Sequence, residues 1–314
     1  MRDGNLLSEG PGADSASKVE DSGVADGPRI LNPQVAAYFH RDVDAFANCL
    51  EVKNGIHVVN YNGEKIDVLV ADHGAPVTVV FFHGSMPRES KKPIFVGTNF
   101  SGDGIFNRVS VSDPTLVAVP GLKLSWYAGS DRQPRLQEVL RKILARVFAS
   151  LGTPPERCVF FGSSGGGFAA LQIGRYFDGS CSLAMNPQTS IGRFHKGPVE
   201  QYLKSSWDVD EPKDLPEHVE HDVIPAYSRK FRNTVLYIQN ENDWMHVAYH
   251  QRPFFDSADS ASAIWSLIRP WNDPKEMMGH TIPPKPVVKE ILDKTVASVG
   301  DWDAAASSLG FVRR

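Results

Sequence analysis

The pattern Gly162-x-Ser164-x-Gly166 constrains this chain more than any other feature of its sequence. An apolar run at 158–161 precedes it, and a helix-forming run at 168–171 follows it. A serine between two glycines at such a junction is typical of a strand that turns sharply into a helix. Small neighbours are needed because the backbone is strained there and adjacent elements pack close to it. We therefore predict that Ser164 lies at the tip of this bend.

Apolar runs and periodicities along the rest of the chain predict an α/β protein. Strands are expected at 57–61, 66–70, 77–82, 116–119, 158–161, 182–185, 234–238 and 263–268. Asn62-Gly63, the dipeptide most typical of a tight hairpin turn, joins the first two. Helical periodicity is found at 33–50, 133–151 and 286–299. Because buried strands alternate with helices, we expect a mainly parallel, doubly wound sheet flanked by helices.

The sequence indicates one structured domain behind an unstructured tail. Residues 1–28 are rich in Gly, Ser, Asp and Ala and have almost no large apolar side chain. Such a segment cannot bury enough surface to offset its ordering entropy, so we expect a disordered tail. Residues 29–314 are expected to form a single domain. Within it, 188–230 is long, contains proline and mixed charge, and is a candidate cap inserted into the core fold.

Composition excludes several classes of function. A net charge of −4 gives no electrostatic reason to bind nucleic acid or an anionic membrane surface. Three cysteines without a C-x-x-C pattern argue against zinc or a disulfide framework and favour a reducing compartment. No apolar run approaches the length of a membrane span, and none follows Arg2 as in a secretory leader. We expect a cytoplasmic protein.

Residues that can take part in catalysis follow several of the predicted strands. His83-Gly84-Ser85 comes after the strand at 77–82, and an acidic loop reaching Asp243 comes after the strand at 234–238. His280 lies in the loop beyond the strand at 263–268. Sites in doubly wound sheets form at the carboxyl ends of the strands. A serine, an acid and a histidine therefore occur in that order, each beyond a strand end.

With these motifs the chain resembles the α/β-hydrolases over roughly residues 55 to 300, because that family has the chain order serine, acid, histidine. The segment from Gly162 to Gln188 is also similar to esterase-like proteins of glycan-assembly loci. The resemblance implies an α/β-hydrolase fold with a cap insertion. It also implies an esterase-type reaction on a small-molecule or glycan ester, with an acylated saccharide as one substrate class.

Carried onto this sequence, the resemblance assigns three catalytic roles. Ser164 would be the nucleophile, and a serine hydroxyl needs a neighbouring base to remove its proton. His280 would be that base and later the acid toward the leaving group. Asp243 would hold the imidazole tautomer and stabilise the imidazolium, with Glu241 as the alternative acid.

The resemblance also assigns an oxyanion hole, made by the backbone N–H of Gly165 and that of Ser85 or Gly84. His83 is expected to be structural and to hold this loop. Arg88 is a candidate partner for an acidic substrate group, and Trp126-Tyr127 a candidate lining for a sugar or acyl site. The simpler interpretation of Arg88 is a solvated charge, and that of Trp126 and Tyr127 is that they cover the core.

Other site types have weaker support. His246 and His250 are four residues apart on a predicted helix, but Val247 stands where a zinc protease of that spacing needs a glutamate. No phosphate-loop or dinucleotide pattern is present, so neither metal nor cofactor is expected.

We therefore expect a serine esterase that forms an acyl-enzyme. Two alternatives stay open: an acyltransferase with the same three residues and an acceptor other than water, and a non-catalytic binding protein of this fold.

Overall fold

The computed structural model describes residues 27–100, 104–272 and 279–314. The tail expected at 1–28 lies, except for its last two residues, outside the described residues. The strands are β1 Ala37–His40, β2 Gly55–Tyr61, β3 Glu64–Ala71, β4 Thr78–Phe82, β5 Asn107–Val111, β6 Cys158–Ser163, β7 Cys181–Met185, β8 Thr234–Asn240, β9 Ile264–Arg269 and β10 Val312–Arg313.

The helices are α1 Val43–Ala47, α2 Pro114–Ala118, α3 Leu136–Leu151, α4 Gly165–Gly174, α5 Lys196–Trp207, α6 Ile224–Tyr227, α7 Trp244–His246, α8 Arg252–Ser257, α9 Lys285–Ala297 and α10 Trp302–Ser308. A π-helical turn, Val247–Gln251, joins α7 to α8.

All described strands form one sheet in the order β1-β2-β3-β5-β4-β6-β7-β8-β9-β10. The run from β5 to β9 in that order is parallel throughout, and β3 and β10 pair antiparallel at its two ends. The expected α/β architecture with a mainly parallel sheet is confirmed. Six parallel strands place their carboxyl ends along one edge of the sheet, which is where a site is expected.

The sheet is the middle of three layers. Side chains of β6 alternate between its faces: Phe160 packs with α3 and α4, whereas Phe161 packs on the opposite face with α9 and α10. A second apolar cluster joins α4, α5, α6 and α8 over the strands β7 to β9. Both faces of the central strands are therefore buried, as their continuous apolar sequences predict.

Two predicted elements are wrong. The strand expected at 116–119 is the helix α2, capped by the side chain of Asp113, which accepts from Thr115 N, and opened by Pro114. Four apolar residues do not distinguish a strand from a buried helix, and the cap signal decides it here. The helix expected at 33–50 is instead β1, paired parallel with β2, followed by the short α1 that Asp42 caps.

The segment 188–230 contains α5 and α6 and is packed against the core. Val199, Tyr202 and Leu203 of α5 are buried in the same cluster as Phe168 of α4. Its expected role as a cap is not confirmed.

The three cysteines are all free thiols. Among the described residues, no helix combines the length and apolarity needed to cross a membrane.

Candidate active site

Ser164 lies at the junction between β6, which ends at Ser163, and α4, which begins at Gly165. Its backbone has φ 54° and ψ −121°, a strained conformation for a residue with a side chain. A Cβ added to Gly162 would lie 2.2 Å from the carbonyl oxygen of Gly166. The two flanking glycines are therefore required sterically, as the sequence pattern predicts.

Asp243 follows β8 and contacts two histidines. His280 Nδ1 lies 2.6 Å from Asp243 Oδ2, and His246 Nδ1 lies 3.0 Å from Asp243 Oδ1. His246 N donates to the same carboxylate. Burial raises the pKa of Asp243, but the hydrogen bonds from His246 and His280 outweigh it, so the pKa lies well below its usual range. Glu241, the alternative acid, is exposed.

Two asparagine amides hold the His280 loop at the sheet edge. Asn240 Nδ2 donates to the carbonyl oxygens of Gly279, at 2.8 Å, and Thr281, at 3.1 Å. Asn186 Nδ2 donates to Thr281 O at 3.1 Å, and its own Oδ1 accepts from Asn240 N. The carbonyls on either side of His280 are thus tied to β7 and β8, which fixes the direction of the imidazole.

Ser164 and His280 open onto one cavity of about 1000 Å³. No direct hydrogen bond joins these two described side chains. Such contacts are often long in unliganded sites and tighten with substrate. With Nδ1 donating to Asp243, the His280 ring keeps its lone pair on Nε2, the nitrogen that a general base uses.

Gln188, a residue that sequence reasoning did not single out for the site, contacts Ser164 directly. Its Nε2 lies 2.9 Å from Ser164 Oγ, and its Oε1 accepts from the indole Nε1 of Trp126. An indole is only a donor, so the amide oxygen must face Trp126 and the NH₂ must face Ser164. The signal available was Asn186-Pro187-Gln188 directly after β7, beside the elbow strand.

The residues predicted for the oxyanion hole lie together. A Cβ added to Gly84 would lie 3.4 Å from Ser164 Cβ and 3.9 Å from Gly165 N. Ser85 lines the cavity next to them. The backbone after β4 therefore lies beside the start of α4, the arrangement that a shared oxyanion hole requires.

His83 braces this loop from behind. Its Nδ1 donates to Gly84 O at 2.8 Å, and its Nε2 accepts from Asp113 N at 3.0 Å. His83 N donates to the hydroxyl of Tyr127. Burial lowers the pKa of His83, so the ring is neutral, as this pair of contacts requires.

The remaining candidates do not reach the cavity. Trp126 and Tyr127 are each about 1% exposed and pack behind the elbow, against Gln188 and His83. Arg88 is half-buried and lies outside the set of described residues that line the cavity. The structure therefore does not bring these three predicted substrate contacts to Ser164.

Three residues of the site, Asp243, His246 and His280, are also possible metal ligands. Their donor atoms lie within 4.8 Å of one another. Imidazole and carboxylate are suitable zinc ligands. However, each contact has the spacing of a hydrogen bond, and the neutral His246 donates Nδ1–H to the carboxylate. His246 also stacks on His280 with 4.2 Å between ring centroids, which favours a supporting role for His246.

No protein-family model matches the chain, and no curated protein matches its sequence. Solved structures do match. A capsule O-acetyltransferase of Neisseria meningitidis serogroup A is 12% identical over 79% of this chain and 97% of its own, with a TM-score of 0.56. A mutant of that enzyme in complex with CoA is 14% identical over 79% and 98%, with a TM-score of 0.53.

An acylaminoacyl peptidase of Pyrococcus horikoshii is 11% identical over 80% of this chain and 42% of its own, with a TM-score of 0.51. A dipeptidyl peptidase 4 of Porphyromonas gingivalis is 10% identical over 80% and 36%, with the same TM-score. At such identities the similarity is one of fold.

Proposed function

We propose that this protein, whose chain has the α/β-hydrolase fold, is an esterase-type serine hydrolase with Ser164 as nucleophile, His280 as base and Asp243 as acid. The observation that carries the proposal is the 2.6 Å contact between His280 Nδ1 and Asp243 Oδ2 beside the same cavity as the elbow serine. The proposed substrates are carboxylic esters, including acylated saccharides.

In the first step, Ser164 Oγ attacks the ester carbonyl carbon while His280 Nε2 takes the hydroxyl proton. The carbonyl oxygen becomes an oxyanion, which the N–H groups of Gly165 and Ser85 stabilise. The bond to the leaving alcohol then breaks, and His280 donates the proton to that oxygen. Asp243, ionised because of its lowered pKa, stabilises the imidazolium in between.

In the second step, water gives a proton to His280 and attacks the acyl carbon. The bond to Ser164 Oγ breaks, and His280 returns the proton to the serine. The amide NH₂ of Gln188, 2.9 Å from Oγ, stabilises the negative charge that develops there as the serine leaves.

A specific observation favours a second candidate, in which a sugar hydroxyl replaces water as acceptor. The capsule O-acetyltransferase matches almost its whole length on this chain. The two candidates share the acyl-enzyme and differ in what accepts the acyl group. Measuring ester turnover with and without added saccharides separates them, because a transferase produces acylated sugar in place of free acid.

A fluorophosphonate probe, which phosphonylates an activated serine with loss of fluoride, tests the shared mechanism. We expect labelling of the wild type and none of Ser164→Ala. Ser163→Ala is the matched control, because Ser163 lines the same cavity one residue earlier but has no proposed catalytic role. This variant should be labelled like the wild type. An unlabelled wild type, or equal labelling of Ser164→Ala, would contradict the proposal and favour a non-catalytic protein.

A further inference from the structure

The cavity at Ser164 extends inward along the sheet. On β6 the side chains of Val159, Phe161 and Ser163 share one face, because strand residues alternate. Ser163 and Phe161 both line the cavity, and Phe161 is one two-residue step, about 7 Å, further from the carboxyl edge. On β4, Phe81 is aligned with Phe161 in the parallel register. The cavity therefore reaches below the serine.

Three aromatic rings pack together at this inner part, where Phe100 and Phe161 keep some exposed surface and Phe81 is fully buried behind them. The ring centroids of Phe81 and Phe161 are 5.3 Å apart, and Phe100 lies 6.3 Å from the first and 6.2 Å from the second. Val288 of α9 lines the cavity beside them. Phe81, Phe161 and Val288 belong to the core cluster between the sheet and α9. The inner end of the cavity is thus part of the apolar core.

The polar side chains of the cavity come from two parts of the chain, and Thr98 and Asn99 directly precede Phe100. Asn272, Thr281 and Lys285 come from the segments on either side of His280. His280 protonates the leaving oxygen in the proposed reaction, so the leaving group lies in the part of the cavity next to His280. The innermost rings, Phe81 and Phe161, lie on β4 and β6, the strands that lead to the proposed oxyanion loop and to Ser164. The apolar end therefore lies toward the acyl side of a bound ester.

We propose that the cavity at Ser164 takes an acyl group with an apolar chain longer than acetyl, seated on Phe100 and Phe161 with Phe81 behind them; this rests on the proposed serine-hydrolase function. A single methyl group would cover little of the apolar surface at the inner end of the cavity. A sugar at the inner end would lose water from its hydroxyls without gaining partners among the rings. A hydrocarbon chain gains from burial and leaves nothing unsatisfied.

The test is a series of p-nitrophenyl esters, from acetyl through butyryl, hexanoyl and octanoyl to dodecanoyl, with a constant leaving group. We expect kcat/KM to rise about fourfold for each buried methylene and to fall once the chain exceeds the cavity. The optimum should be a chain longer than acetyl.

Two variants should move the optimum in opposite directions. Val288→Phe fills the inner end, so turnover of long-chain esters should fall more than acetyl turnover and the optimum should shift toward acetyl. Phe100→Ala opens it, so the optimum should shift toward longer chains. Val287→Phe is the matched control, because Val287 is half-buried on the same helix but outside the lining of the cavity. It should leave the chain-length profile unchanged.

Opposite shifts in the two variants cannot arise from partial unfolding, which lowers all rates together. If acetyl is the best substrate and neither variant alters the profile, the acyl site is wrong while the hydrolase function stands. If no ester is cleaved and the fluorophosphonate probe does not label Ser164, the proposed function fails and this inference fails with it.

Discussion

At the scale of single residues, Asp243 is the carboxylate that contacts two histidines of the candidate site. It accepts from His280 Nδ1, His246 Nδ1 and His246 N. Its position at the start of α7 explains how one carboxylate reaches both rings, since it caps the helix that carries His246. The sequence left Asp243 and Glu241 as alternative acids; in the structure, His280 contacts Asp243.

Replacing the carboxylate gives a first prediction. Asp243→Asn should lower kcat by about 10⁴-fold, the size of loss seen when such an acid is neutralised and the histidine tautomer is wrong. Glu241→Gln, two residues away and exposed, should stay within about twofold of wild type, since exposed substitutions are usually mild. Ester hydrolysis rates measure both. The reverse result would make Glu241 the acid.

Gln188 gives a second prediction, about charge on Ser164 Oγ. Gln188→Met keeps the length of the side chain but removes the donor at 2.9 Å, so kcat should fall about tenfold, the value of a hydrogen bond worth ~1.4 kcal/mol. The loss should appear in kcat with little change in KM, because the charge develops only in the transition state. Gln201→Met, at a half-buried position of α5 outside the lining of the cavity, is the control. An unchanged kcat would exclude a catalytic role for Gln188.

At the scale of elements, the nucleophile turn depends on how closely backbones approach one another. A Cβ added to Gly166 would lie 2.4 Å from Phe82 O and 2.9 Å from the backbone of His83. The first turn of α4 therefore rests on the end of β4, the strand that carries the oxyanion loop. This packing couples the serine to the N–H groups of the proposed oxyanion hole.

The glycine contact gives a third prediction. Gly166→Ala should lower the free energy of unfolding by about 2 kcal/mol or more, because the obstructing atoms are backbone and cannot move aside. Gly197→Ala, in α5 with nothing within 4 Å of the added Cβ, should raise it by about 0.5–1 kcal/mol through helix propensity. Urea denaturation measures both. Equal effects of the two substitutions would contradict the steric argument.

At the scale of the whole molecule, burial of histidines couples folding to pH. His83, His246 and His250 are all buried, and burial lowers the pKa of each, in His250 to about 3. His250 Nδ1 accepts from Thr189 N, which requires the neutral ring. The unfolded chain binds protons on these residues near pH 6.5 whereas the folded protein does not. Stability is therefore greatest above that pH and falls below it.

The pH dependence gives a fourth prediction. His250 alone should cost about 2 kcal/mol of unfolding free energy on going from roughly pH 7 to roughly pH 5, where the unfolded side chain is charged. His250→Gln, which keeps an acceptor for Thr189 N, should reduce this loss by that amount. Denaturant unfolding at the two pH values measures it. His246, also buried with a lowered pKa, lies 5.1 Å from His250 between ring centroids, so a pH dependence unchanged in the variant would assign the effect to His246.

How much the sequence determined depends on the range of the interactions involved. The elbow at Ser164 is encoded by residues within a few positions of one another, because the bend needs its own glycines. The same holds for the Asn62-Gly63 hairpin and for the buried parallel strands, and all three are confirmed. The cap residues of α2 are equally local, although a four-residue apolar run was interpreted there as a strand.

Other features were decided by tertiary structure. Asp243 contacts a histidine 37 positions later, and Gln188 contacts a serine 24 positions earlier. Trp126, a candidate sugar contact by sequence, instead orients Gln188 across 62 positions. Local pattern carries no information on such pairs, because their geometry is set by which strand ends become neighbours in the sheet. The sequence by itself identified the serine and its bend; only the packed sheet determined which side chains surround it.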